Sequence, residues 1–331
     1  MTNTASGGSS TPARIAVVMA EPGPADALSL EQRELAPLGP QDVRVSTRYA
    51  GVNFWDVMQR RGVVPLPPDG VPGVEGMGVV EAVGSDVDSA LVGSRVAWSR
   101  VPSSYASQVQ AHRDSFIEVP DAVSDEMAAA ILMQGVTAQY LAESTTDLGP
   151  GQFALVTAAA GGVGSLLTQF LSARGVTVIG VVGSATKAEA AERAGALPLV
   201  DGAGLVSEVR NIAPNGVHAV FDATGSKVDD LIDTIARRGI CVLYGNASGS
   251  LSTIDPGRLA DGSRYLTRTA GRDYAVTSAE WHERASDVLA RAAAGSLGPV
   301  AIEALPLASA AEAHRRLESR KTVGKVLLST Q

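Results

Sequence analysis

The chain has 331 residues, of which 45% are apolar, and it carries a formal net charge of −8. This length predicts two domains with sizeable cores, and the negative charge without a basic stripe argues against a nucleic-acid partner. The single cysteine, Cys241, excludes an internal disulfide and a multi-cysteine zinc site. No segment resembles a signal core or a membrane span, so we expect a cytoplasmic protein with no membrane partner.

The predicted elements divide the chain into four stretches. Residues 1–12 are small and polar and are predicted to form a disordered tail. Residues 13–125 contain short alternating runs between glycine and proline turns, which is typical of an antiparallel, partly barrel-like β domain. Residues 126–262 alternate apolar strands with helices and predict an α/β domain with a doubly wound parallel sheet. Residues 263–331, with helices near 278–294 and 309–319 and strands near 300–304 and 324–328, are predicted to complete the β-rich domain.

A glycine-rich run lies between a predicted strand at 152–156 and a predicted helix at 165–171. Such a turn lets backbone N–H groups approach a pyrophosphate at the positive end of the helix. The strand–turn–helix context favours dinucleotide binding over a tight turn without a ligand. The candidate cofactor-binding residues here are Ala160, Gly161, Gly162, Val163 and Gly164.

The end of the second predicted strand, at 177–182, selects the cofactor. An NAD site usually places a carboxylate there to bind the ribose 2′-hydroxyl, but this chain has Gly183 and Ser184, with no carboxylate before Glu189. Lys187 offers a countercharge for a 2′-phosphate, which predicts NADPH; the alternative is an exposed lysine on a solvated helix. Asp201 would oppose this assignment if it pointed towards the phosphate.

Several further motifs resemble the medium-chain dehydrogenases/reductases, and specifically the zinc-free quinone oxidoreductases of the zeta-crystallin type. The resemblance covers nearly the whole chain after residue 13 and is carried by residues 51–56, 72–80, 134–138, 158–164, 221–225, 244–246 and 317–328. It implies a Rossmann domain, which binds NADPH, inserted into a GroES-like catalytic domain. It also implies a homodimer that pairs through the edge of the nucleotide-domain sheet.

The same resemblance allows a prediction of whether the chain binds a catalytic zinc ion. Zinc-dependent relatives carry a cysteine near the position of Asn53 and Gly-His-Glu where this chain has Gly73-Val74-Glu75. Without those ligands a catalytic zinc site cannot form, so no metal is expected. Hydride transfer without a Lewis acid is easiest to acceptors that delocalise negative charge, such as quinones and α,β-unsaturated carbonyls.

The resemblance also suggests site residues. Asn53 and Thr137 would lie at the nicotinamide and the acceptor, although a turn residue and a helix cap are the respective alternatives. Further contacts to the cofactor are implied for Thr224, Tyr244, Asn246 and Lys325. Candidates for the acceptor pocket are Trp55, Arg60 and Arg268, for which core packing or ordinary surface positions are the alternatives.

The leading hypothesis is therefore a zinc-independent, NADPH-dependent oxidoreductase acting on a quinone-like acceptor. One alternative is an enoyl or enone reductase, which is disfavoured because the chain has Gly62-Val63-Val64-Pro65 where many relatives supply a tyrosine as proton donor. The other alternative is a low-turnover NADPH-binding protein with a structural or regulatory role.

Overall fold

The computed structural model of the chain describes residues 13–246 and 252–331. The predicted tail at 1–12 lies outside the described residues. The strands are β1 (Ala13–Val18), β2 (Ser29–Glu34), β3 (Asp42–Gly51), β4 (Gly76–Val83), β5 (Arg95–Trp98), β6 (Gln108–His112), β7 (Ile117–Glu118), β8 (Phe153–Thr157), β9 (Thr177–Val182), β10 (Leu197–Val200), β11 (Val217–Asp222), β12 (Ile235–Leu243), β13 (Tyr265–Arg268), β14 (Ile302–Pro306) and β15 (Lys325–Ser329). The helices are α1 (Phe54–Arg60), α2 (Asp125–Tyr140), α3 (Gly162–Ala173), α4 (Ala188–Arg193), α5 (Leu205–Ile212), α6 (Val228–Ile232), α7 (Gly257–Ala260), α8 (Ser278–Ala293) and α9 (Ala310–Glu318).

Within the described residues, six strands form a parallel sheet in the order β10-β9-β8-β11-β12-β13. Its strands are apolar on both faces because helices cover both. In β8, Ala154 and Val156 pack in one apolar cluster with α3, whereas Leu155 packs in a second cluster with α5. This alternation confirms the predicted doubly wound α/β sheet.

A second sheet holds seven strands of the described chain, in the order β14-β15-β3-β4-β5-β7, with β6 also paired to β3. Its pairs are antiparallel except that of β14 with β15. Because β14 and β15 come from the end of the chain, the parallel sheet is inserted between two parts of this β-rich unit. The arrangement confirms the predicted GroES-like and Rossmann architecture.

Three elements differ from the sequence prediction. Helix α2 was not predicted, and it packs against α3 on one side and against β3, β4 and β15 on the other. Strand β13 belongs to the parallel sheet, so this sheet continues past the predicted boundary at 262. The predicted helix 228–236 is shorter, because β12 already begins at Ile235.

The described residues contain no helix that combines the length and apolarity needed to cross a membrane.

Candidate active site

The glycine-rich run forms a close turn between β8 and α3. Ala158 adopts a left-handed conformation with φ of 51°, and Gly161 precedes the first residue of the helix. A Cβ at Gly164 would lie 2.4 Å from the carbonyl oxygen of Ala158, so only glycine lets the helix pack this closely on the turn. The backbone N–H groups at the start of α3 therefore form the anion-binding end that a pyrophosphate needs.

Two segments that are distant in the sequence pack against this turn. The N–H of Gly324 donates to the carbonyl of Ala160 at 3.0 Å, and Gly161 and Gly324 form an isolated parallel bridge. On another side, a Cβ at Gly162 would lie 3.0 Å from the Cγ of Gln134. The turn therefore lies beside α2 and the start of β15, which carry the next group of polar residues.

Four buried polar side chains form a cluster beside the turn: Asn53, Glu75, Gln134 and Lys325. The Nζ of Lys325 donates to Glu75 Oε2 at 2.5 Å and to Asn53 Oδ1 at 2.8 Å. The other oxygen of Glu75 accepts from the N–H of Met133 at 2.8 Å. A buried ammonium is thus paired with a buried carboxylate, which compensates both charges.

Both the oxygen and the nitrogen of the Asn53 amide form hydrogen bonds within the protein. Its Oδ1 accepts from Lys325 and from Gln134 Nε2 at 2.6 Å, while its Nδ2 donates to Glu75 at 3.1 Å and to the Gly51 carbonyl at 3.3 Å. Because a lysine ammonium can only donate, these contacts fix the orientation of the amide. Both amide N–H groups are committed within the protein, so Asn53 orders the cluster, and its predicted donation to an acceptor stays a prediction.

A second buried network of hydrogen bonds connects Asn53 of the cluster to α9. Asp56 Oδ2 accepts from the backbone N–H of Asn53 at 2.8 Å and from Tyr105 Oη at 2.9 Å. Tyr105 Oη is 3.1 Å from His314 Nε2, and Arg60 Nε donates to His314 Nδ1 at 3.2 Å. Since Nδ1 accepts, the neutral imidazole carries its proton on Nε2 and donates to the tyrosine oxygen.

Burial shifts the pKa values of Asp56 and His314 in this hydrogen-bonded network. It raises the pKa of Asp56 to about 7, against the lowering effect of the hydrogen bonds from Asn53 and Tyr105. Burial and the charge of Arg60 lower the pKa of His314 to about 3, so the imidazole is neutral at pH 7.

The side chain of Arg60, a predicted acceptor-pocket residue, is bound within the protein. Its guanidinium is buried and donates to the Gly23 carbonyl and to Glu318, both at 2.6 Å, as well as to His314. The sequence offered an ordinary surface position as the alternative for Arg60, and its burial shows that it does not occupy one. Helix α1 instead turns it towards α9.

A second set of hydrogen-bonded polar groups lies at the carboxyl ends of β11 and β12. Asp222 accepts from Thr157 Oγ1 at 2.7 Å, from the N–H and Oγ1 of Thr224 at 2.9 Å and from the N–H of Gly225 at 2.8 Å. Thr224, a predicted cofactor contact, is thus held by a buried carboxylate at a strand end, where ligands of open α/β sheets bind.

The buried polar atoms that have no hydrogen-bond partner among the described residues include Gln134 Oε1 in α2 and, directly after β12, Tyr244 Oη and Asn246 Oδ1. Burial also raises the pKa of Tyr244. Buried polar atoms without partners are rare in folded proteins. A ligand with amide and hydroxyl groups, such as the nicotinamide riboside half of NADPH, would satisfy them.

The predicted 2′-phosphate end lies after β9. A Cβ at Gly183 would meet no atom within 4 Å, so space is open there. Lys187 Nζ donates to the carbonyls of Arg320 at 2.6 Å and Thr322 at 2.9 Å. Ser184 Oγ lies 2.8 Å from Thr186 Oγ1, and the Asp201 carboxylate is paired with Lys227 at 2.8 Å, which offsets its repulsion of a phosphate.

The remaining predicted residues form no direct hydrogen bond with the four cluster side chains in the part of the chain that the structure describes, although Thr137 lies one turn of α2 from Gln134. Thr137 lies within α2, where its hydroxyl donates to the Met133 carbonyl at 2.9 Å, so it is not a helix cap. Trp55 is 40% exposed at the start of α1. Arg268 is exposed on the edge strand β13, whose backbone pairs with β12.

Sequence reasoning did not assign roles to Glu75, Gln134, Tyr105 and His314. A glutamate inside the apolar run 71–80 and a glutamine at the start of the 134–138 motif were signals that could have identified two of them. Tyr105 and His314 gave no such signal.

Comparison with known proteins places the chain among oxidoreductases. Residues 39–150 match the family described as alcohol dehydrogenase GroES-like domain, and residues 162–291 match zinc-binding dehydrogenase. A quinone oxidoreductase from Pseudomonas aeruginosa is 36% identical, covering 90% of this chain and 95% of that protein. A 2-haloacrylate reductase from Burkholderia sp is 33% identical, covering 96% and 99% respectively. The structure of Escherichia coli quinone oxidoreductase complexed with NADPH has a TM-score of 0.88 at 32% identity, covering 96% of this chain and 100% of that chain.

The side chains of this site do not fit the zinc ion for which one of these families is named. The cluster supplies an amide, a carboxylate and an ammonium, but no thiolate or imidazole, and Lys325 would repel a divalent cation from Glu75. Cys241 lies buried in β12, where burial raises the pKa of its thiol to about 12. Within the described ranges, no group of three or more histidine, cysteine or acidic residues is placed to bind a metal.

Proposed function

The chain belongs to the quinone oxidoreductase family of the medium-chain dehydrogenases/reductases, and we propose that it reduces a quinone-like conjugated acceptor with NADPH, without zinc. The observation that carries this proposal is the Lys325–Glu75 pair beside the glycine-rich turn. The pair contacts Asn53, and Val74 directly precedes Glu75; these two residues stand where zinc-dependent relatives carry a cysteine and a histidine. The pair itself is electrically neutral overall.

The neutral pair limits the chemistry of the acceptor. NADPH supplies the hydride, and the acceptor takes up that hydride and one proton, so a quinone becomes a hydroquinone. A neutral lysine–carboxylate pair stabilises a full negative charge on oxygen much less than a zinc ion would. The acceptor must therefore delocalise the developing charge itself, as a quinone does.

The protein contributes binding and exclusion of water. The start of α3 binds the diphosphate, the open space at Gly183 with Lys187 receives the 2′-phosphate, and the strand ends carrying Thr224 and Asn246 border the nicotinamide. The buried Asn53–Lys325 contact orders the floor of the site. Positioning of this kind is the main contribution that a cofactor enzyme makes.

An enone or enoyl reductase is the second candidate, and similarity to a 2-haloacrylate reductase favours it. That reaction needs an acid that protonates the α-carbon. Tyr105 does not replace the missing phenol, because its hydroxyl is fully buried and bound to Asp56 and His314. A low-turnover NADPH-binding role is the third candidate.

An acceptor panel distinguishes these functions. Turnover with NADPH is measured for a benzoquinone, a naphthoquinone, a conjugated enone and an enoyl thioester. The proposal predicts the highest kcat/KM for a quinone. A preference for the enone or thioester would establish the second candidate, and tight NADPH binding without turnover of any acceptor would establish the third.

We also propose a homodimer formed through the edge of the parallel sheet. Strand β13 leaves one side of its backbone unpaired among the described residues, and its Tyr265 is 59% exposed. An open strand edge of this kind pairs readily with a second copy. Light scattering on the purified protein should give twice the mass of the chain, and a monomer at micromolar concentration would contradict the proposal.

We propose the predicted division into a catalytic domain at residues 13–125 and 263–331 and an NADPH-binding domain at 126–262, with the second junction moved beyond β13, because β13 pairs in the parallel sheet. Limited proteolysis tests the two junctions. A cytoplasmic location is proposed because NADPH is supplied inside cells. Cell fractionation tests it, and recovery of the protein outside the cytoplasmic fraction would contradict it.

A further inference from the structure

Lys187 joins two segments that are far apart in the chain. It ends the short 3-10 turn at Ala185–Lys187, directly after β9 and Gly183. Its Nζ donates to the carbonyls of Arg320 and Thr322, in the loop between α9 and β15. The residue predicted to recognise the 2′-phosphate thus also holds the C-terminal loop.

The other end of this loop leads directly into the polar cluster. Gly324 has a φ of 70°, and a Cβ there would lie 2.0 Å from the Ala301 carbonyl oxygen, so the backbone is tightly fixed at this point. Its N–H donates to Ala160 in the glycine-rich turn. The next residue is Lys325, whose ammonium binds Asn53 and Glu75.

The charge of Lys187 is not compensated by a carboxylate within ion-pair distance in the part of the chain that the structure describes. Burial lowers its pKa. An ammonium has three N–H groups, and two of them donate to the loop carbonyls. One N–H therefore remains for an anion, and a phosphate oxygen would bind it while the loop contacts persist.

We propose that Lys187 is a positioning residue as well as a phosphate ligand: it couples recognition of the 2′-phosphate to the placement of Lys325. The inference rests on the proposed function, because it takes Lys187 to be the 2′-phosphate ligand of NADPH. A phosphate on the third N–H orders the ammonium, the ammonium orders the two carbonyls, and the loop delivers Lys325 to Asn53. By linkage, a disordered loop weakens binding of the 2′-phosphate by the same factor.

A lysine that only bound phosphate would behave differently. Its removal would weaken ligands that carry the 2′-phosphate and leave all others unchanged. Under the coupling, removal also frees the loop in the absence of any phosphate, so the reaction with NADH suffers as well. The kcat with NADH is therefore expected to fall in Lys187→Met, whereas a lysine that acted only on the phosphate would leave it unchanged.

The test compares two nucleotides and two variants by hydrogen exchange of the amides at 319–326. The nucleotides are adenosine 2′,5′-bisphosphate and ADP, and only the first carries a 2′-phosphate. The variants are Lys187→Met and the control Lys321→Met, an exposed lysine of the same loop. The bisphosphate is expected to slow exchange at 319–326 in the wild type and in Lys321→Met, whereas ADP is not. In Lys187→Met the exchange should be faster without ligand and unaffected by either nucleotide.

Two failures are distinguishable. If Lys187→Met weakens binding of the bisphosphate but leaves loop exchange and the kcat with NADH as in the wild type, the coupling is wrong and the proposed cofactor site stands. If the wild type binds the bisphosphate and ADP equally well, Lys187 is not a 2′-phosphate ligand, and the cofactor assignment to this residue fails together with the coupling.

Discussion

Asp56→Asn should change how the stability of the protein depends on pH. Asp56 is fully buried, and burial raises the pKa of its carboxyl from 3.8 to about 7. Between these values the folded protein holds a proton that the unfolded chain has released. The free energy of unfolding therefore falls as pH rises through this window, and the loss is complete above pH 7. At about 1.4 kcal/mol per pKa unit, the contribution of Asp56 to the free energy of unfolding falls by about 4 kcal/mol across this window.

Asparagine removes this dependence and keeps the geometry. The hydrogen bonds from Asn53 and Tyr105 both reach the same oxygen of Asp56, which the amide oxygen of an asparagine can replace. The assay is urea unfolding of the wild type and of Asp56→Asn from pH 5 to pH 8. The stability of the variant relative to the wild type should rise by about 3 kcal/mol over this range.

A matched control is Asp121→Asn, which replaces an exposed carboxylate. This control should follow the wild-type curve at every pH. If the curves of Asp56→Asn and the wild type ran parallel from pH 5 to pH 8, Asp56 would not bind its proton more tightly in the folded state, and the reasoning from burial would be refuted.

Three further substitutions test the cluster, the cofactor end and the turn. Glu75→Gln leaves the buried ammonium of Lys325 without its carboxylate and should lower the free energy of unfolding by about 3–5 kcal/mol. Chemical denaturation measures this loss, and Glu81→Gln, which replaces an exposed carboxylate, is the control that should unfold like the wild type. Gly183→Asp enters open space, so the fold should persist, but the carboxylate should shift the kcat/KM ratio from NADPH towards NADH by at least about tenfold, or 1.4 kcal/mol; an unchanged ratio would place the phosphate elsewhere. Gly164→Ala puts a methyl 2.4 Å from the carbonyl oxygen of the turn and should cost about 1–3 kcal/mol and weaken NADPH binding, measured by thermal unfolding and titration.

The parallel sheet was predictable because its strands carry a local signal. Strands such as β8 and β9 are nearly all apolar and lie between glycine turns, and the sequence alone located them to within a residue. Helix α2 was missed for the opposite reason. It is buried on most of its surface between helices α3 and α8 and the seven-stranded sheet, so it lacks the one-sided apolar pattern by which amphipathic helices are identified.

The candidate site likewise has a part with a local sequence signal and a part without one. The glycine-rich turn is a local motif of eight residues, so its sequence predicted its conformation. The polar cluster brings together Asn53, Glu75, Gln134 and Lys325 from four separate segments, and their contacts depend on how the two sheets pack. For the same reason no local pattern showed that Arg60 is bound to His314, 254 residues later in the chain.

The most direct test of metal-free hydride transfer from NADPH is the rate of NADPH oxidation by metal-stripped protein with a quinone acceptor. We predict full activity after treatment with a chelator, no stimulation by added zinc, and a preference for NADPH over NADH. Loss of activity on stripping that zinc alone restored would contradict the account, because a chain with Asn53 and Val74 in place of the cysteine and the histidine would then still bind a catalytic zinc.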